Sequence, residues 1–224
     1  MKLRFQFHKL GPVRFTSHKD TMRMFQRCFA AAGIPVSYSE GFHPHMRMSF
    51  APPLKTGWEG YEEYLDLEVD GPPGEIRDTC NPLLPEGLRI NHVYVLSDRA
   101  RKIAADVGAV TLSARIHPED GAGCEAAEAE RAVRERFLAG ASHGAGTPRV
   151  MSASIGGDED GVEVRYTTTS VSGKTVGPAE VVAAAVGDPE GFAVPLRVAR
   201  LAQFVERDGE LVSPISKGVL LNRS

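Results

Sequence analysis

Histidine and arginine crowd the first fifty residues of this chain. These are the side chains that hold phosphate or move protons near neutral pH. Four of the seven histidines (His8, His18, His43, His45) stand there. So do eight basic residues (Lys2, Arg4, Lys9, Arg14, Lys19, Arg23, Arg27, Arg47) against two acids (Asp20, Glu40), although the 224-residue chain carries a net charge of −3. Residues 51–97 reverse the balance, with three basic and nine acidic side chains. A polyanion contact must therefore use a local patch rather than the field of the whole molecule. The acidic stretch either keeps that patch local or docks a partner.

The basic residues gain meaning from the helix that spaces them. Ser17 is an N-cap residue, and Asp20 three positions later completes a capping pattern, so a helix is expected over Ser17–Ala32. At about 100° per residue, Met22, Phe25 and Phe29 share one apolar stripe that should face a sheet. Lys19, Arg23 and Arg27 form a second stripe, and no acid follows Asp20 within the helix. That stripe reads either as a solvated face or as a track for phosphates. His18 falls inside the apolar stripe. Its readings, in order, are a half-buried packing residue, a phosphate ligand beside the helix N-terminus, and a general acid–base.

A loop follows: Ser37-Tyr38-Ser39-Glu40-Gly41-Phe42-His43-Pro44-His45. Tyr38 and Phe42 offer flat faces to a base, and Arg47 offers a charge to a phosphate. The alternative is a structured loop whose aromatic rings plug the edge of a core. His43 and His45 supply two metal ligands where a structural zinc needs four and a catalytic zinc three, so no metal site is assigned. Two other motifs are decoys. Ser172-Gly173-Lys174-Thr175 lacks the phosphate-loop glycine five residues before Gly173, where Thr168 stands. Asp158-Glu159-Asp160 lacks the alternating ligands of a calcium loop and reads as a hairpin turn.

The elements around these residues follow one order twice. Period-two alternation predicts strands over 2–8, 47–50, 61–69 and 88–96, with helices over 17–32 and 75–83. Strands over 107–116, 150–155, 162–168 and 194–206, with helices over 124–138 and 179–186, repeat the order β-α-β-β-α-β. The fold class is α+β, as two ferredoxin-like halves in tandem, 1–97 and 98–224, joined over 97–106. Residues 140–148 read as a small-residue loop.

Composition narrows the class further. Hydrophobic residues at 42% suffice for a core, and no apolar run approaches the roughly 20 residues of a membrane span. The start of the chain shows no signal-peptide pattern, and Cys28, Cys80 and Cys124 are odd in number and widely spaced. Reduced thiols and a cytoplasmic location are expected, with no membrane contact and no cofactor bound by the chain itself.

The motifs Lys9-x-Gly11-Pro12-x-Arg14-Phe15-x-Ser17-His18-x-Asp20, Gly33-Ile34-Pro35, Tyr38-Ser39-Glu40-Gly41-Phe42-His43-Pro44, Ser49-Phe50-Ala51-Pro52-Pro53-Leu54, Glu63-Tyr64-Leu65-Asp66 and Leu84-Pro85-Glu86-Gly87-Leu88 lie in order along residues 3–96. Together they resemble the radical SAM-linked protein family, a domain of unknown function found beside or fused to radical SAM enzymes. The resemblance implies a radical SAM partner. It implies no chemistry for this chain, which lacks the three-cysteine cluster motif. His43 stands where the family usually has asparagine. A weaker resemblance, in fold and basic surface only, is to the ferredoxin-like RNA processing proteins that cleave CRISPR repeats.

The expectation is a substrate-recognition accessory of a radical SAM enzyme that binds RNA. Arg14, Lys19, Arg23, Arg27 and Arg47 would hold phosphates, Tyr38, Phe42, His43 and His45 would contact a base or terminal group, and Ser17 and His18 complete the ligand-binding set. Its rivals are a metal-independent endoribonuclease using His18 or His43, and a protein–protein scaffold for the same partner.

Overall fold

Leu3, Phe5 and Phe7 alternate with Arg4, Gln6 and His8 in strand β1 (Lys2–Lys9), and that alternation sorts the first half of the molecule into two faces. The structure, a computed structural model, describes residues 1–70, 75–116, 126–138, 146–158, 161–186 and 197–215. The chain forms two units. One is Met1–Val107 with the segment from Phe204, and the other is Gly108–Gln203. The architecture is α+β, with mostly antiparallel sheet and few helices.

In the first unit β1 is followed by a 3-10 turn (Gly11–Phe15), helix α1 (His18–Ala31), β2 (Met48–Phe50), β3 (Glu59–Glu68), α2 (Ile76–Cys80), β4 (Leu88–Val95) and α3 (Ile103–Asp106). The sheet order is β4-β1-β3-β2, antiparallel throughout. Register places Phe5 opposite Leu65 and Leu3 opposite Leu67. Paired residues share a face, so this side is apolar and receives α1 through Phe25 and Phe29. Ser17 caps α1 as expected, its hydroxyl accepting from the Asp20 N–H. The buried arc of the helix is Thr21, Phe25, Cys28 and Phe29. It lies rotated from the expected stripe, so Met22 sits half-exposed at its rim. The short turn at Gly87 is fixed by close approach. Its φ is +83°, and a Cβ there would stand 2.1 Å from the Leu10 carbonyl oxygen.

The other face of β1 carries Arg4 opposite Asp66. Arg4 is wholly buried. Its Nε and Nη2 donate to the two Asp66 oxygens at 2.7 and 2.9 Å. Nη1 donates to the Pro214 carbonyl at 2.8 Å and Nη2 to the Arg101 carbonyl at 3.0 Å. Asp66 also accepts from the Ile103 N–H at 2.9 Å. Residues 97–106, expected as a joining segment, are therefore tied into the first unit. Asp106 is held in turn by both terminal nitrogens of Arg207, at the start of a turn into β9 (Glu210–Val212). Asp208 and Gly209, with φ of 52° and 82°, form the tight turn that this hairpin twist requires.

The second unit has β5 (Val107–Ile116), α4 (Ala126–Val133) continuing as a π-helical turn (Arg134–Leu138), β6 (Val150–Asp158), β7 (Gly161–Thr169), α5 (Pro178–Val186) and β8 (Arg197–Arg207). The strand order is β8-β5-β7-β6. Tyr166 anchors its core, fully buried and donating to the Val176 carbonyl at 3.0 Å. The Gly173-Lys174-Thr175 decoy lies in a tight turn, where Ser172 and Gly173 take φ of 51° and 76° and Val171 exchanges both backbone hydrogen bonds with Lys174. Residues 124–125, 140–145, 159–160 and 194–196, all included in expected elements, lie outside the described residues.

Every guanidinium nitrogen of Arg4 has an acceptor, which is the condition under which a buried ion pair is tolerated. Removing one partner leaves a desolvated charge. Arg4→Met should lower the stability of the protein by about 3–5 kcal/mol. An unchanged urea midpoint in that variant would show that the pair does not brace the unit.

Candidate nucleic-acid interface

Residues 36–48 leave the first unit as a hairpin whose root is locked to β3. The Ser37 N–H donates to the Glu68 carbonyl at 2.9 Å, and Glu68 N–H donates to Arg47 at 3.1 Å. Arg47 N–H closes the pair by donating to Ser37 at 2.9 Å. Toward the tip Tyr38 bridges Met46, and the Ser39 hydroxyl accepts from the His45 N–H at 3.1 Å while lying 2.9 Å from His45 Nδ1. Gly41 turns the chain at φ +116°. Beyond it Phe42 is 102% exposed, and Tyr38, His43 and His45 are exposed as well. The alternative in which these aromatic rings plug a core edge is not what the hairpin does. A ring that would gain roughly 1.5–3 kcal/mol on burial stands in water on a braced backbone.

The expected phosphate ligands separate into three groups. Lys19, Arg23 and Arg27 are exposed on α1. Arg23 reaches Asp20 at 3.5 Å, while among the described residues no ion pair holds Lys19 or Arg27. Arg47 pairs with Glu68 at 3.2 Å and, with His45, lines a cleft on the sheet face away from α1. Arg14 and Ser17 are committed elsewhere. Arg14 donates to Glu59 at 3.0 Å and stacks on Phe15, and the Ser17 hydroxyl donates to Asp20 at 2.6 Å. The α1 stripe and the hairpin root thus lie on opposite sides of one sheet, because β1 and β3 send alternate residues to opposite faces.

His18 is half-buried, its ring meeting Phe50 edge-on at 5.4 Å. Around it lie Lys9, Phe50, Glu63 and Tyr64, lining a cavity of about 20 Å³. Sequence reasoning missed this polar cluster, and with it Arg4 and Asp66. Glu63 is buried, and a Cβ on Gly60 would stand 2.6 Å from its carboxylate. Lys9 is buried too and donates to the Thr16 carbonyl at 2.7 Å. Burial pulls the Lys9 ammonium below its ordinary pKa of 10.5, against the opposing charges of Glu63 and Asp20. The available signal was a charged residue inside an apolar strand run, as in Leu65-Asp66-Leu67. A cavity of that size has room for about one water and none for a nucleotide.

Comparison with known proteins adds the following. A family model described as "Uncharacterized protein conserved in bacteria (DUF2344)" matches residues 2–142. No curated protein matches the chain. Among solved structures, that of a candidate glycine cleavage system transcriptional repressor aligns at 12% identity and a TM-score of 0.25, covering 88% of this chain and 95% of that one. Among the described residues no helix is long and apolar enough to cross a membrane.

The buried Lys9 gives a pH test. Its folded pKa lies below its unfolded one, so the unfolded chain binds the proton more readily. Relative to Lys9→Met, wild-type stability should rise with pH as 10.5 is approached from below, and fall as pH drops through the folded pKa. Urea unfolding of both proteins across that window reads the difference directly. Parallel pH profiles would mean that Lys9 is not desolvated.

Proposed function

The chain belongs to the uncharacterized bacterial family DUF2344, and on that premise we propose that it is a substrate-recognition accessory that binds RNA for a radical SAM enzyme. The observation that carries the reading is the braced hairpin with Phe42 fully exposed at its tip. Stacking on a base rewards an exposed, pre-positioned aromatic ring without demanding a given sequence. Tyr38 and His43 add a second exposed ring and an imidazole on the same hairpin, while Arg47 stands at its root, paired with Glu68. The cations of α1 form a separate exposed track for phosphates.

The motif resemblance supports the partner's class. The element order β-α-β-β-α-β and strand order β4-β1-β3-β2, followed by β8-β5-β7-β6, support reading both units as ferredoxin-like. Cys28 and Cys80 are buried free thiols, which suits the cytoplasm. The endoribonuclease alternative has less support at His18, where the adjoining cavity of about 20 Å³ has no room for a nucleotide, while His43 stays exposed on the hairpin.

Binding of single-stranded RNA across a salt series tests the reading. Wild-type affinity should fall with salt. Phe42→Ala should weaken binding about 10-fold with little change in slope, because stacking contributes about 1–3 kcal/mol per base. Joint replacement of Lys19, Arg23 and Arg27 by alanine should flatten the slope by about 2, at roughly 0.7 per lost single-strand phosphate contact. An absence of RNA binding at low salt would leave the scaffold reading in its place.

A further inference from the structure

The cleft at the root of the hairpin has an electrostatic design of its own. It encloses about 250 Å³ within the first unit. Four cations reach it from three separate stretches of chain: Lys2 from the start of β1, Arg47 from the hairpin, and Arg101 and Lys102 from the segment before α3. Two acids also line it, Asp66 and Glu68, and both are already engaged. Asp66 has each oxygen bound by the buried Arg4, and one of them also by the Ile103 N–H. Glu68 takes Arg47 at 3.2 Å. Arg4 cancels Asp66 from beneath, Arg47 answers Glu68 within the cleft, and Arg101 lies 3.8 Å from Asp106, so the lining keeps a cationic excess carried by Lys2, Lys102 and the exposed Arg101. Ser49 adds a hydroxyl, since its register partner is Asp66.

We propose that this cleft binds a phosphomonoester: a phosphate group held by Arg47, Arg101, Lys102 and Lys2, carrying a small organic body. The volume exceeds what bare phosphate fills and lies just under the ~300 Å³ at which sites for drug-sized ligands begin. Arginine presents a planar fork that matches phosphate oxygens in pairs, while lysine adds point charge. The Arg4 network fixes the Arg101 carbonyl and the Ile103 amide to the sheet. The cations on that segment are thus presented from an anchored backbone. This site stands apart from the stacking hairpin tip and from the α1 stripe, and it does not depend on RNA being the substrate. Two sources share the chemistry, a free mononucleotide and the 5′-terminal phosphate of an RNA chain.

Calorimetric titration of the whole protein with adenosine 5′-monophosphate, adenosine and a short oligoribonucleotide, with and without a 5′-phosphate, decides it. At least one phosphorylated ligand should bind saturably and adenosine should not. Arg101→Ala with Lys102→Ala should weaken that binding about 10-fold or more, as expected for lost charge-assisted hydrogen bonds. Both residues are exposed, so the variant should retain its fold. Lys19→Ala with Arg27→Ala, and separately Phe42→Ala, should leave monophosphate affinity within about 2-fold, since surface changes away from the site are near neutral. Monophosphate binding alone identifies the free nucleotide as the source. A preference for the 5′-phosphorylated oligonucleotide over its 5′-hydroxyl form, lost in the Arg101/Lys102 variant, identifies the RNA end. The proposal is overturned if neither phosphorylated ligand binds, if adenosine binds as tightly as its monophosphate, or if the Arg101/Lys102 variant binds like wild type.

Discussion

Arg4 and Asp66 hold the first unit in register. The pair sits on adjacent strands at a position where the pleat turns both side chains away from α1. A guanidinium with no exposed surface must find an acceptor for each of its nitrogens, and it finds them in three places far apart in sequence. It binds the carboxylate on β3, the backbone of Arg101 after β4, and the backbone of Pro214 near the other end of the chain. One desolvated charge thus determines where three stretches of backbone lie. Such pairs add little net stability against an apolar alternative, and their value is in specifying one arrangement. Here the arrangement is a sheet face with a cationic cleft upon it.

The opposite face obeys a different rule. Phe5, Phe7, Phe25, Phe29 and Phe50 form a ring-on-ring core, with His18, Lys9, Thr21 and Glu63 entering at one edge. The hairpin leaves from between these faces. Its root is backbone-bonded to Glu68, so its tip does not need a hydrophobic plug to stay folded, and Phe42 is left in solvent.

Much of this was legible from residues alone. Alternation in Lys2–His8 and in 107–116 marks strands because one face of each is apolar, and Ser17 with Asp20 marks the start of α1 because an N-cap needs a side-chain acceptor. What escaped was long-range. Arg4 counts as one more surface cation until the register with Asp66 is known. Gly11–Phe15, to which no element is assigned from sequence, winds into a 3-10 turn that seats Val13 in the core. Residues 97–106 look like a connection because they are polar and short of large apolar groups, but their backbone carries the hydrogen bonds that Arg4 and Asp66 require. The site residues were partly visible for the same reason. The sequence brings Tyr38, Phe42, His43, His45 and Arg47 together in one loop, whereas the split between that loop and the α1 stripe depends on pleat parity across paired strands.

The most direct test of the account is to crosslink single-stranded RNA carrying 4-thiouridine to the intact protein under ultraviolet light and map the attached peptides by mass spectrometry. The account requires crosslinks within residues 36–48, centred on Tyr38 and Phe42. Crosslinks confined to the Gly108–Gln203 unit, or none above those formed with an unrelated protein of similar charge, would contradict it.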